Sequence, residues 1–102
     1  DYFMKNCKSI LGNKILEIRE IKGISQQQLA TKAGLSKALI THIETGKRYP
    51  SDKALQKIIV ALEITEDEIL TEEVKNEYIK KLAEEAKPSE IIRAYRQIMK
   101  ND

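Results

Sequence analysis

Residues 25–50, SQQQLATKAGLSKALITHIETGKRYP, decide the fold. They read as two short helices joined by a tight glycine-containing turn, the second helix closing on a basic run. Leu29, Ala30 and Ala33 mark the apolar side of the first helix, and Ile40 and Ile43 that of the second. Between them, Ala33-Gly34-Leu35-Ser36 has the length of a turn that lets two helices cross steeply. Such a crossing turns the second helix outward, where it can enter a major groove. The first expectation is therefore a helix-turn-helix able to bind duplex DNA.

The flanking sequence continues the helical code. From Ser9 to Ile21, the apolar residues Ile10, Leu11, Ile15, Ile18 and Ile21 follow helical spacing, and Gly23 stops that helix after Lys22. Ser25 fits an N-cap, with Gln28 placed to reach back in a capping box. Gly34 ends that helix, Ser36 caps the next and Gly46 ends it. Lys47-Arg48-Tyr49-Pro50 forms a loop, and Ser51 caps a helix over residues 52–62 whose inner face is Ala54, Leu55, Ile58, Ile59 and Leu62. Thr65 with Glu68 makes another capping box, opening a short turn of helix through Ile69 and Leu70. Residues 1–7 show no clear period; Met4 fits a natural start, which would make Asp1–Phe3 additions.

The character changes at Thr71. Val74, Tyr78, Leu82 and Ala86 form one apolar stripe, widened by Ile79 and Ala83. Pro88 and Ser89 interrupt, and Ile91, Ile92, Tyr95, Ile98 and Met99 form a second. Charges over residues 71–102 balance, 7 basic against 7 acidic. The segment reads as an amphipathic helical hairpin too short to bury both apolar faces alone. It must pack on the first domain, on a second copy or on another protein. The expected organisation is a helix-turn-helix domain over residues 8–70 and a C-terminal hairpin over 71–102.

Composition sets the outer limits. With 102 residues, no Trp and 5% aromatics, the chain suits a small Ile/Leu/Ala helical core better than a sheet sandwich. No apolar run is long enough to span a membrane, and no secretory segment opens the chain. Cys7 is the single cysteine, so no internal disulfide forms, which fits the cytoplasm. Residues 1–60 carry 11 Lys/Arg against 5 Asp/Glu, a net +6, and residues 61–102 carry 7 against 11, a net −4. A basic front half suits a polyanion touched on one side. One His, one Cys, no phosphate-cradling glycine loop and no CxxC or HExxH spacing leave catalysis, metal binding and cofactors without a basis. The chain is expected to be a binder and not an enzyme.

The residues also carry a family resemblance. I-x-E-I-R-E-x-K-G-I-S-Q-x-x-L-A spans Ile15 to Ala30, A-G-L-S-K-x-x-I-T-x-I-E-T-G-K-R-x-P spans Ala33 to Pro50, and A-L-E-I-T-E-D-E-I-L spans Ala61 to Leu70. In order and without large gaps, residues 10–70 resemble the Cro/cI (XRE) family of helix-turn-helix domains. The resemblance implies an all-α fold: a five-helix, lambda-repressor-like domain, here followed by two C-terminal helices. It also implies that the third helix is the recognition helix and that binding is dimeric, on a palindromic operator.

Carried onto this sequence, the resemblance and the helical geometry agree. With Ile40 and Ile43 facing the core, Lys37, Ala38, Thr41 and His42 face the groove. Lys37 suits guanine O6/N7, Thr41 a thymine methyl or a base donor, His42 a base or phosphate, and Ala38 only a thymine methyl. Ser25 and Ser36 stand at helix starts, where Ser36 can also reach a phosphate. Gln26 resembles the family's phosphate-clamping glutamine, and Lys47 and Arg48 are placed to contact backbone phosphate. The plainer alternatives are a solvated helix start for Lys37, a surface or packing role for His42, and solubilising loop charges for Lys47 and Arg48. Arg19 and Glu44 align with a structural ion pair, the alternative for Arg19 being a DNA contact.

For the hairpin two readings stand. In one, Val74, Tyr78, Leu82, Ile91, Ile92, Tyr95, Ile98 and Met99 build a homodimer that holds two recognition helices about 34 Å apart, one turn of DNA. The chain is then a compact bacterial or phage-type repressor, similar to biofilm-switch and lysogeny-type regulators. In the other, the hairpin binds a protein antagonist or toxin, and DNA binding serves autoregulation.

Overall fold

The computed structural model describes residues 9–85 continuously and, beyond them, positions 93, 96, 97 and 99. The described residues contain six helices and no strand: α1 (Ile10–Ile21), α2 (Gln26–Ala33), α3 (Lys37–Glu44), α4 (Asp52–Leu62), α5 (Glu66–Ile69) and α6 (Glu72–Glu85). The fold is all-α, as the periodicity requires. No helix among the described residues is long and apolar enough to cross a membrane.

Local chemistry sets the boundaries. The hydroxyls of Ser9, Ser25, Ser36 and Ser51 accept the backbone N–H three residues on, at 2.7, 3.0, 3.1 and 3.1 Å, so each satisfies a donor the helix itself leaves open. Gln28 closes the Ser25 box by accepting the Ser25 N–H at 2.7 Å, and Glu68 accepts the Thr65 N–H at 2.6 Å. The end of α4 has no glycine, and Glu63 itself takes the left-handed conformation at φ 57°. Its side chain and carbonyl face Lys32 and Lys22, each at 3.5 Å.

The core is the meeting of the apolar faces. Leu11 and Ile15 of α1, Leu29 and Ala30 of α2, Ile40 and Ile43 of α3, and Leu55, Ile58, Ile59 and Leu62 of α4 are all buried, with Ile69 of α5 beneath them. The outermost members of the α1 pattern, Ile10 and Ile21, are exposed, because they lie at the two ends of the helix, beyond the faces that pack.

The core does not stop at residue 70. Val74, expected at an intermolecular interface, is only 1% exposed and belongs to the chain's own core. This corrects its assignment: α6 packs against α1, and Val74 joins the buried cluster that includes Leu11 and Ile15 of α1. The stripe splits from there. Tyr78 is half-buried, its ring stacked on Tyr49 with centroids 5.7 Å apart, while Ile79 and Leu82 remain exposed. Of the second stripe, Met99 is helical and exposed; Ile91, Ile92, Tyr95 and Ile98 lie outside the described residues.

Glu77 explains the docking of α6. Its carboxylate accepts the Ile10 N–H at 2.6 Å and the Leu11 N–H at 3.1 Å, capping α1 from 67 residues away. The same carboxylate accepts the Tyr49 hydroxyl at 3.2 Å, tying the loop after α3 to the same point. Burial, then the negative charge and hydrogen bond of Glu77, push the Tyr49 hydroxyl well above its ordinary value. The sign for stability follows. Below about pH 10, where a free tyrosine stays protonated, the contribution is complete; at higher pH the unfolded chain ionises first and stability falls. Urea midpoints measured from pH 8 to 11 should decline, and the decline should be shallower in Tyr49→Phe.

Candidate nucleic-acid interface

The turn between α2 and α3 orients the candidate site. Gly34 adopts φ +69°, and the chain closes α2 with Leu35 N–H donating to Ala30 O at 2.9 Å and Gly34 N–H to Thr31 O at 3.3 Å. This left-handed ending reverses the chain within three residues, and Leu35 packs inward to hold it. Ser36 then starts α3. Ile40 and Ile43 are fully buried and Glu44 nearly so, which fixes the rotation of α3 about its own axis. Ala38 is exposed on the opposite side and Lys37 is exposed at the first turn, with Thr41 and His42 half-buried beside them. Leu39 is half-buried against the core, at the margin of that surface.

Beyond α3, the Arg48 N–H donates to the His42 carbonyl at 3.1 Å, folding the loop back onto the helix. Lys47 and Arg48 are exposed and make no ion pair among the described residues. Lys37 shares that state. Three cations thus stand on and beside one exposed helix face without an ion-pair partner among the described residues.

Behind this surface lies a buried polar chain. Arg19 of α1 grips Glu44 with Nε–Oε2 at 2.7 Å and Nη2–Oε1 at 3.1 Å, and Nη1 donates to Ile24 O at 2.9 Å. The guanidinium is therefore committed to bracing α1 against α3 and is not presented to a ligand. Its hydrogen bond to Glu44 raises an already high pKa, outweighing the opposing effect of burial. Gln26 of α2 adds to the chain. Its Nε2 donates to Glu44 Oε1 at 2.8 Å, and its Oε1 accepts the Thr41 hydroxyl at 3.0 Å. Ser25 and Ser36 serve as caps, each at an exposed helix start.

Motif and periodicity point to every one of these surface positions. The inward tie of Gln26 and Thr41 was not expected, because the two are 15 residues apart and both carry groove-facing or phosphate roles by resemblance. Glu77 was likewise unforeseen as the anchor of the Tyr49 loop, since an acidic residue on a charged helix face carries no local signal of its distant partners.

The HTH_3 helix-turn-helix family model matches residues 15–69, more than half the chain. The chain belongs to the helix-turn-helix family. The match runs from the middle of α1 to the end of α5, so it includes the α2–α3 pair and its polar bracing. Two members of this helix-turn-helix family, the HTH-type transcriptional regulators SinR of Bacillus licheniformis and of Bacillus subtilis (strain 168), are each 33% identical over 70 residues. The matches cover 68% of this chain and 63% of SinR, so the chain spans less than two thirds of those relatives. Among solved structures, the restriction-modification controller protein C.AhdI from Aeromonas hydrophila superposes with a TM-score of 0.57 at 33% identity, over 59% of this chain and 91% of that one. A variant of the restriction-modification controller protein C.Esp1396I gives a TM-score of 0.57 at 33% identity, over 71% and 97%.

Proposed function

We propose that this helix-turn-helix chain is a sequence-specific DNA-binding transcription regulator that binds a palindromic operator as a homodimer in the bacterial cytoplasm and acts as a repressor. The observation that carries the reading is the exposed face of α3, with Lys37 and Ala38 outermost and, just beyond it, Lys47 and Arg48, which make no ion pair among the described residues. A helix held out by its buried opposite side and flanked by cations matches the geometry of major-groove entry. The regulators and controller proteins described above support the transcriptional role. For the dimer, support comes from exposed Ile79 and Leu82 on α6, Leu82 lining a groove with Leu39, Tyr49, Pro50, Ala54 and Tyr78 whose rim carries Arg48, Ser51 and Lys81. A second copy would cover the exposed apolar side chains of α6. Repression follows when the occupied site overlaps a promoter.

The contacts divide into two kinds with different signatures. Lys47 and Arg48 neutralise phosphate, so Lys47→Ala or Arg48→Ala should weaken binding to every duplex alike and flatten the salt dependence by about one unit of slope. Lys37 faces base edges, so Lys37→Ala should cost about 1–3 kcal/mol and relax preference at one base position. Selection from random duplexes followed by salt titration of the best binder tests both. An enriched inverted repeat supports the proposal; the absence of any enriched sequence refutes it. Identical behaviour of Lys37→Ala and Lys47→Ala on all duplexes would remove Lys37 from base reading.

A further inference from the structure

The buried polar chain has a direction, and that direction reaches the groove. Arg19 carries only donors, and the Glu44 carboxylate offers only acceptors. Gln26 meets Glu44 at 2.8 Å, so the side it turns there must be its NH2 group. Its carbonyl oxygen is thereby aimed at Thr41, 3.0 Å away. An amide oxygen cannot donate, so the Thr41 hydroxyl must spend its one proton on Gln26. The orientation of the amide and the hydroxyl is thus dictated by the fixed charges at the far end of the chain.

From this we infer that Thr41 is an acceptor-only specificity determinant, selecting a base that presents an amino group, adenine N6 or cytosine N4, and rejecting the keto groups of guanine and thymine on the same strand. The inference rests on the DNA-binding reading above. The Thr41 oxygen keeps its lone pairs open, since it accepts no hydrogen bond among the described residues. Thr41 lies one helical turn beyond the exposed Lys37, on the side of α3 that faces away from Ile40 and Ile43. In the major groove adenine and cytosine place a donor where guanine and thymine place an acceptor. A hydroxyl free to rotate would accept from the first pair or donate to the second; this one is locked. Gln26 acts through Thr41 and is a positioning residue, retaining one amide hydrogen for other partners.

The experiment is selection from random duplexes with full-length wild-type protein, Thr41→Val and Gln26→Met, reading base frequencies at each position. In the wild type, one position per half-site should favour adenine or cytosine over guanine or thymine by about two- to tenfold, the worth of one neutral hydrogen bond. Thr41→Val should erase that preference and leave the other positions intact. Gln26→Met should also erase it, because the released hydroxyl can turn and donate to a keto oxygen. A purely structural role for Gln26 would lower affinity for all duplexes and leave the ratio unchanged, and that result overturns the inference. So does a keto preference in the wild type at the position Thr41→Val alters, or an unaltered Thr41→Val profile. If Thr41→Val does not unfold cooperatively, Gln26→Met decides. Wild-type protein on duplexes lacking the adenine 6-amino or cytosine 4-amino group decides without any variant, since no loss of affinity at any position overturns the inference. A wild type that enriches no sequence refutes the DNA-binding reading itself, a result distinct from an enriched operator with an unchanged Thr41→Val profile.

Discussion

Arg19→Met should lower the free energy of unfolding by about 3–5 kcal/mol, a large fraction of the roughly 5–15 kcal/mol that holds a domain together. The substitution keeps the aliphatic stem and removes only the guanidinium. Glu44, with its side chain 3% exposed, is then left with a charge inside the protein and, among the described residues, the Gln26 amide as its one remaining side-chain partner. The cost comes from that uncompensated carboxylate and not from any intrinsic worth of the ion pair. The double variant Arg19→Met/Glu44→Leu should therefore lose less than Arg19→Met alone, because two apolar side chains of similar volume replace two charges. Gln26 is half-buried and can turn its amide to water when Glu44 is gone. Urea unfolding of both single variants and the double gives the coupling directly. Costs that simply add would show that Arg19 and Glu44 do not act as a unit.

What the sequence shows and what it hides differ in range. The serines that start α1 to α4 act on donors three residues away, so a local pattern suffices to place them. The same holds for Gly34, whose left-handed ending couples only to residues 30–35. Among the left-handed stops Glu63 is the exception, because a glutamate in that conformation is fixed by its surroundings and leaves no composition signal. The division of the α6 stripe is long-range. Val74 and Leu82 share a periodicity, yet one is core and the other is exposed. What separates them is where α6 stops running along α1, and Glu77 sets that by capping a helix 67 residues away. At the recognition surface the same contrast holds. Which residues of α3 face outward follows from Ile40 and Ile43 alone, whereas the locked state of Thr41 depends on three helices meeting at Glu44.

Gly12 is the sharpest case of a residue whose meaning is spatial. In an isolated helix, Gly12→Ala would help by about 1 kcal/mol, since glycine is a poor helix former. In this fold the substitution should instead destabilise by about 1–3 kcal/mol net, because overpacking at a fixed crossing costs more than propensity returns. A Cβ at Gly12 would overlap the Ile43 carbonyl oxygen, meet Ser9 Oγ at 2.8 Å and approach the Glu44 carbonyl at 3.3 Å. Two of these three atoms belong to the backbone of α3, which cannot rotate aside as a side chain can. Relief requires α1 and α3 to separate, loosening Leu11 and Ile15 from Ile43 and lengthening the Arg19–Glu44 contact. Gly34→Ala is the informative contrast. Beyond its chain neighbours, no atom of the described residues lies within 4 Å of the added Cβ there, so its cost is backbone strain at φ +69°. The two variants should then differ in kind: Gly34→Ala lowers stability with the α1–α3 contacts intact, whereas Gly12→Ala also weakens the coupling between Arg19 and Glu44 in a double-mutant cycle. A Gly12→Ala protein more stable to urea than the wild type would mean that α1 can slide without loss, and that the crossing does not hold the recognition helix in place.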